Sequence, residues 1–154
     1  MTTPDARLAE LGITLPAATP PAANYVPTVI AGGLLHISGQ IPFGDDGKPL
    51  QGRLGESFDV ARGQDAARRC AINLIAQMKA ALGSLDKVER VVKLGVFVNS
   101  TPAFTDQPEV GNGASDLMVA VFGDAGRHAR SAVGVPVLPR GVAVEVDAIV
   151  AIRA

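Results

Sequence analysis

Cysteine and aromatic side chains are both scarce in this chain. It has one cysteine, one tyrosine and no tryptophan, and aromatic residues make up 4% of the sequence while apolar residues make up 47%. A single thiol cannot form an intramolecular disulfide, and no cysteine and histidine residues have the spacing of zinc ligands. The core must therefore come from Ala, Val, Leu and Ile, which favours helices packed closely on a sheet. The 154 residues are enough for one such domain.

An excess of charge of either sign is missing as well. Fourteen lysines and arginines stand against fifteen acidic residues, and the basic residues are scattered. Nucleic acid is not an expected partner, because binding to a phosphate backbone needs a concentrated cationic surface. No segment approaches the roughly 20 apolar residues that span a bilayer, and Met1 to Ile13 lacks the pattern of a signal peptide. We expect a soluble cytoplasmic protein with no membrane partner.

The first 24 residues differ from the rest of the chain. Thr3-Pro4 followed by Gly12 is typical of a short capped helix with a glycine stop. Leu15 to Asn24 is rich in proline and alanine, which predicts an extended connector. We therefore interpret residues 1–24 as an appendage and residues 25–154 as the domain.

The domain shows five strand patterns and two helix patterns. The first helix is expected to begin at a Ser57 cap and end at Gly83, and the second runs from about Gly113 to Phe122. Strands are expected at Val26–Ile30, Leu34–Ser38, Val91–Val98, Arg130–Val137 and Val142–Ile152. The first two strands flank Gly32-Gly33 and should form a hairpin.

This order predicts a mixed sheet with both helices on one face. The other face would then be bare. The last strand carries the small apolar residues Val144, Val146, Ala148 and Val150, which would suit burial against a neighbouring subunit. Apolar surface of that size normally marks an interface, and identical chains usually associate with closed symmetry.

No residue motif specifies a reaction by itself. Phosphate loops, dinucleotide fingerprints, metal motifs and nucleophile elbows are all missing from the sequence. Cys70 and Met78 fall on the apolar side of the first long helix and are interpreted as core. His36 fits a core or interface histidine, while His128 precedes Arg130 and could border a pocket. Neither histidine has the local serine and acid that would support serine hydrolase chemistry.

Four short motifs carry a family resemblance. They are Arg130-Ser131-Ala132-Val133-Gly134-Val135, Leu138-Pro139, Val144-Glu145-Val146-Asp147 and Ser38-Gly39-Gln40-Ile41-Pro42. From about Tyr25 onward the chain resembles the reactive-intermediate deaminase (Rid, or YjgF-like) family, whose members are also called endoribonuclease L-PSP. The resemblance implies an α+β, chorismate-mutase-like fold and a homotrimer with clefts at the subunit boundaries. It further implies hydrolysis of 2-imino acids to 2-oxo acids and ammonia, without a cofactor or metal.

The resemblance assigns the two main roles to Arg130 and Glu145. A guanidinium offers planar paired donors to a carboxylate, so Arg130 would bind the carboxylate of the imino acid. Glu145 lies on an otherwise apolar strand, where partial burial would raise its pKa toward a range useful for proton transfer. It would position or activate the attacking water. The alternatives are a solvated strand-end arginine and a paired interface carboxylate.

Four further positions would bind substrate. Tyr25 would line the pocket or anchor the connector, and Ser38 would bind substrate or water or satisfy its own turn. Ala132 replaces a cysteine found in many family members, and its main-chain groups would orient the substrate. Asn112 would stand in for a pocket asparagine, although the segment Thr101 to Ala114 is expected to form a longer loop than the family has.

Two rival functions remain open. One is a trimer that binds or senses small 2-oxo acids in the same arginine cleft without turnover. The other is the ribonuclease or translation-inhibitor activity attached to the family. The near-neutral charge, the single tyrosine and the lack of a histidine pair placed for acid–base cleavage argue against the latter.

Overall fold

A five-stranded mixed sheet organises the computed structural model, which describes residues 2–18 and 23–154. Its strands are β1 (Thr28–Ala31), β2 (Leu34–Gln40), β3 (Val88–Asn99), β4 (Ala129–Val135) and β5 (Val144–Ile152). Their spatial order is β1-β2-β5-β3-β4, and every neighbouring pair is antiparallel except the parallel pair of β3 and β4. The predicted hairpin, mixed sheet and α+β class are confirmed.

The α-helices among the described residues are α1 (Pro4–Glu10), α2 (Val60–Leu82) and α3 (Gln107–Phe122). The N-cap of α2 is Asp59, whose carboxylate accepts the N–H of Arg62 at 2.8 Å, and its C-cap is the left-handed Gly83. The prediction of Ser57 as its cap is wrong, because that hydroxyl accepts the N–H of Arg53 instead. None of the helices in residues 2–18 and 23–154 combines the length and apolar character needed to cross a bilayer.

The α3 helix begins at Gln107 rather than near Gly113. Pro108 lies in its first turn, where a missing N–H costs nothing. The expected long loop over Thr101 to Ala114 is therefore mostly helix. Gly113 is helical because α3 packs on α2 there, and a methyl group at this position would overlap the carbonyl oxygen of Gln64. Glycine at this site permits a close approach of two helices rather than a turn.

The alternating residues of β5 face the opposite way from the sequence-based expectation. The small residues lie beneath the helices in the core, none of them more than 3% exposed: Val144, Val146, Ala148 and Val150. The face without helices carries Glu145 and Asp147 instead, which are partly exposed. Strand alternation identifies two faces but does not say which one the helices cover, so the proposed apolar interface on this strand is wrong.

The α1 helix is part of the core rather than an appendage. Leu8 is 3% exposed and belongs to the main hydrophobic cluster. Arg7 donates to the carbonyl of Val121 at the end of α3, and Asp5 pairs with Lys79 on α2 at 2.7 Å. The connector that follows contains residues 19–22, which lie outside the described residues.

At Gly113, helix propensity and packing predict opposite effects of an alanine substitution on the free energy of unfolding. Replacing a helical glycine with alanine normally stabilises a protein by about 0.4–1 kcal/mol. We expect Gly113→Ala to lower the free energy of unfolding instead, by about 1–3 kcal/mol, because the added methyl group forces α2 and α3 apart. Urea denaturation would measure it, with Ala120→Gly at an exposed position of α3 as the propensity control. A more stable Gly113→Ala protein would contradict the close packing.

Candidate functional site

Arg130 lies on the sheet face that the helices cover, at the edge of the sheet. Its Cα partner on β3 is Leu94, which is completely buried. The guanidinium reaches α3, where Nη1 donates to Asn112 Oδ1 and to Ser115 Oγ, each at 3.0 Å. Nη2 donates to the carbonyl of Pro108 at 3.1 Å. The structure thus brings Arg130 and Asn112 together, and their roles remain a prediction.

All the recorded hydrogen-bond partners of this guanidinium are neutral. An arginine carries five N–H donors, and the three bonds leave Nε–H and one Nη2 hydrogen without a partner among the described residues. No described carboxylate lies within ion-pair distance of Arg130. The side chain is therefore a fixed positive charge with two spare donors, which fits the two oxygens of a carboxylate.

Gly111 allows the guanidinium to rest directly on α3. A Cβ built on this buried glycine would lie 3.1 Å from Nη1 and 3.2 Å from Cζ of Arg130. Such contacts are tighter than ordinary van der Waals separations, so a larger residue would push the side chain outward. The glycine that suggested a loop is thus part of the seat for Arg130.

A hydrogen-bonded serine and histidine lie against the same guanidinium. The Oγ of Ser115 is 2.8 Å from Nε2 of His128, and Nδ1 of His128 is 2.7 Å from the carbonyl oxygen of Gly126. A carbonyl only accepts, so Nδ1 carries the proton and Nε2 accepts the hydroxyl hydrogen of Ser115. Partial burial and the nearby charge of Arg130 lower the pKa of His128, against the opposing effect of the Gly126 carbonyl.

The sequence gives His128 no local serine and acid that would support serine hydrolase chemistry, and the structure gives the ring a serine partner from α3 and a main-chain carbonyl, not an acid, on its other nitrogen. Ser115 was not singled out from the sequence, because it lies on a helix that was expected to begin only two residues earlier. The helical spacing of Asn112 and Ser115, three residues apart, was the available signal: such residues share a helix face.

Glu145 lies on the opposite face of the sheet. Its Cα partner on β3 is Phe97, and β3 separates it from the strand of Arg130. Gly39 on β2 makes room for the carboxylate, since a Cβ there would lie 2.9 Å from Oε2 of Glu145. Partial burial raises the pKa of Glu145, and the neighbouring carboxylate of Asp147 raises it further.

The remaining predicted positions divide between the two faces. Ser38 precedes Gly39 and donates from both N and Oγ to the carbonyl of Pro27, at 2.9 and 3.2 Å. Tyr25 lies just before β1 and is 54% exposed. Ala132 follows Arg130 along β4 and packs partly against the core. Within one chain, Arg130 therefore lies on the sheet face that the helices cover, and Glu145 lies on the face without helices.

Neither a metal nor a reactive thiol is indicated in the described part of the chain. No cluster of three potential ligands from His, Cys, Asp or Glu occurs there. Cys70 is completely buried, its Sγ lies 3.6 Å from the carbonyl of Val144, and burial raises its pKa well above the usual value. The interpretation of Cys70 as a core residue is confirmed.

Glu145 generates a prediction about pH and stability. A carboxyl whose folded-state pKa is raised contributes stability that is present below its unfolded-state pKa and lost as the pH rises through the folded-state value. We expect Glu145→Gln to raise the Tm at pH 7 and to have a smaller effect near pH 4. Calorimetry would measure it, with Glu10→Gln at an exposed position of α1 as the control. A lower Tm at pH 7 would reveal a stabilising cationic partner from another subunit.

Sequence and structure comparisons place this architecture among known proteins. Residues 5–150 match the family described as "YjgF/chorismate_mutase-like, putative endoribonuclease". The chain is 60% identical to Protein TCP17 of Trypanosoma cruzi over 94% of this chain and 91% of that one. It is 29% identical to a 2-iminobutanoate/2-iminopropanoate deaminase of Dermatophagoides farinae, over 92% of this chain and 95% of that one.

Solved structures agree with the sequence comparison. The crystal structure of Atu1372 from Agrobacterium tumefaciens, titled as a protein of unknown function, has a TM-score of 0.91 and 51% identity, covering 97% of this chain and 92% of that one. The matched family region begins within α1, in keeping with the packing of that helix on the core. The chain therefore belongs to the YjgF/chorismate mutase-like family.

Proposed function

We propose that this protein hydrolyses 2-imino acids to 2-oxo acids and ammonia, with Arg130 binding the substrate carboxylate. The observation that carries the proposal is the guanidinium held by three neutral acceptors, with two donors free and no described acidic partner. The relative named as a 2-iminobutanoate/2-iminopropanoate deaminase supports the choice of reaction. An arginine in this state favours a planar anion, and the carboxylate of a 2-imino acid is attached directly to the carbon that water attacks.

The edge position of β4 gives the substrate a second set of partners. Within the described sheet β4 has a neighbour only on its β3 side. Alternate main-chain N–H and C=O groups of an edge strand point away from the sheet and are available for binding. Main-chain groups around Ala132 would orient the imine, and alanine preserves them as well as cysteine does.

Glu145 can join this site only from another copy of the chain. Within one chain it lies on the other sheet face, and β3 separates its strand from β4. The proposal therefore includes a homotrimer in which Glu145, Ser38 and Tyr25 of one subunit face Arg130 of its neighbour. In that arrangement the carboxylate of Glu145 would orient the attacking water.

A non-catalytic trimer that senses 2-oxo acids is the second candidate. It is favoured by one observation. The three neutral acceptors that hold Arg130 come from its own chain, so the arginine can bind an anion without Glu145. A sensor would bind a 2-oxo acid through Arg130, keep that binding after loss of Glu145, and release no ammonia. The ribonuclease alternative has less support, because the net charge of −1 provides no general attraction for RNA.

Loss of the Arg130 guanidinium should abolish carboxylate recognition. Imines would be generated in situ by an amino-acid oxidase, and their loss followed by semicarbazide trapping. We expect Arg130→Ala to lower kcat/KM by about 100-fold, the effect of losing two charged hydrogen bonds. Arg130→Lys should recover little, because an ammonium cannot make the paired contact. Arg127→Ala, which removes only an exposed ion pair with Asp124, is the control. Equal activity in all four proteins would exclude Arg130 as the carboxylate ligand.

Complementation between subunits tests the shared site. The Arg130→Ala and Glu145→Gln proteins would each be inactive, and would then be unfolded together and refolded as mixed trimers. Where the site combines Arg130 of one subunit with Glu145 of its neighbour, about one interface in four regains both residues. The hydrolysis rate should recover to a similar fraction of the unmodified protein. No recovery, with mixing verified by native mass spectrometry, would show that the two residues do not share a site between chains.

A further inference from the structure

Ser115 and His128 form a polar group that carboxylate binding by Arg130 does not explain. The hydroxyl of Ser115 accepts from Nη1 of Arg130 at 3.0 Å and is 2.8 Å from Nε2 of His128. The Gly126 carbonyl fixes Nδ1–H on the far side of the ring, at 2.7 Å. Arg130, Ser115, His128 and Gly126 thus form a chain of hydrogen bonds that all run in one direction.

We propose that Ser115 and His128 supply the proton transfers of imine hydrolysis, within the same chain that binds the substrate carboxylate. This inference rests on the proposed function and adds its acid–base group. Ser115 is the group that would touch the attacking water, and His128 acts through it as the proton acceptor. Ser115 and His128 lie in the same subunit as the Arg130 that they contact, whereas Glu145 has to come from a neighbouring subunit.

The proton transfers of this reaction need no reactant besides water and the imine. As water adds to the C=N carbon, its oxygen forms the new C–O bond and one proton passes to Ser115 Oγ, while the Ser115 hydroxyl proton moves to Nε2 of His128. The π electrons of the C=N bond move to nitrogen. The imidazolium then returns its proton through Ser115 to that nitrogen, which gives the hydroxyl and amino groups of a carbinolamine. The neutral His128 next takes the remaining hydroxyl proton through Ser115 and delivers it to the amino nitrogen as the C–N bond breaks, so that ammonia leaves and the carbonyl group of the 2-oxo acid forms.

The surroundings favour a neutral, accepting imidazole before reaction. Burial lowers the pKa of His128, and the charge of Arg130 on β4 lowers it further. Beside His128 in the chain, Arg127 pairs with Asp124 at the surface, and its carbonyl accepts from Arg90 on β3. On α3 the facing group is the uncharged Ser115. A histidine that is unprotonated at neutral pH and hydrogen-bonded to a hydroxyl is suited to general base catalysis.

Binding of a carboxylate to Arg130 should change the pKa of His128 even without turnover. Because the positive charge of Arg130 helps to lower the pKa of the ring, its neutralisation by an anion should raise that pKa. Nitrogen-15 NMR of the imidazoles, titrated with pyruvate as a stable 2-oxo acid, would report the shift. The chain has two histidines, so His128→Gln assigns the signals. The protonated nitrogen of free His128 should be Nδ1, and Arg130→Ala should remove the response to pyruvate.

The decisive experiment compares pH profiles of kcat for imine hydrolysis. In the unmodified protein kcat should fall as the pH drops through the pKa of His128. His128→Gln keeps an acceptor for Ser115 but cannot take up the proton, so we expect kcat to fall by about 100-fold or more and its acid limb to disappear. Ser115→Ala should behave in the same way, and Ser115→Thr should restore the hydroxyl and much of the rate. His36→Gln, at an exposed position of β2, is the matched control and should keep both the rate and the acid limb.

The outcomes distinguish the proposed acid–base role of Ser115 and His128 from the deaminase proposal on which it rests. An active protein whose rate and acid limb survive His128→Gln and Ser115→Ala would overturn the acid–base pair and leave the deaminase proposal intact. Variants that raise KM but leave kcat and its pH profile unchanged would show that the pair only holds Arg130 in place, which also overturns it. An unmodified protein that hydrolyses no imine would overturn the deaminase proposal itself. The NMR titration is read on the unmodified protein, and His36→Gln at an exposed position of β2 can assign the two histidines even where a variant of the Arg130 region does not fold.

Discussion

The seat of Arg130 on α3 is the interaction on which the candidate site depends. The guanidinium reaches its three acceptors because Gly111 leaves room beside the helix. The helix is itself placed by its close approach to α2 at Gly113. Two glycines that lower the intrinsic helix propensity of α3 thus fix its position in two directions, Gly113 toward α2 and Gly111 toward Arg130 on β4. Packing rather than propensity explains why this helix carries them.

Arg130 and Glu145, the two main candidate residues, lie on opposite faces of the sheet. On the helix side, Arg130 carries a positive charge among neutral partners, and partial burial together with this charge lowers the pKa of His128. On the open side, Glu145 and Asp147 are neighbours whose pKa values are both raised by partial burial. In the proposed trimer, the carboxylate of Glu145 in one subunit would meet the positive charge of Arg130 in its neighbour. The small apolar residues of β5 lie in the core and would take no part in that contact.

Sequence patterns predicted the order of the helices and strands and the residues of the Arg130 motif. They failed for features that tertiary contacts determine, namely the covered face of β5 and the start of α3. The alternation of Val144, Glu145, Val146 and Asp147 revealed two faces of β5, yet the covered face depends on where α2 crosses the sheet. Proline and glycine before Ala114 were interpreted as a loop, because local rules do not include the packing of α2 against α3. The Ser115–His128 contact joins a helix to the residues just before β4, and the late start predicted for that helix concealed it.

The proposed site does not need the cysteine that the family resemblance implies at the position of Ala132. Main-chain groups of the edge strand would orient the substrate, and alanine retains them, so the side chain at this position need not take part in the proposed reaction. Proton transfer would then come from Ser115 on α3 and His128 before β4, which are hydrogen-bonded to each other next to Arg130. In the proposed site, a carboxylate bound to Arg130 would weaken the effect of its charge on the pKa of His128, so substrate binding and proton transfer would be coupled.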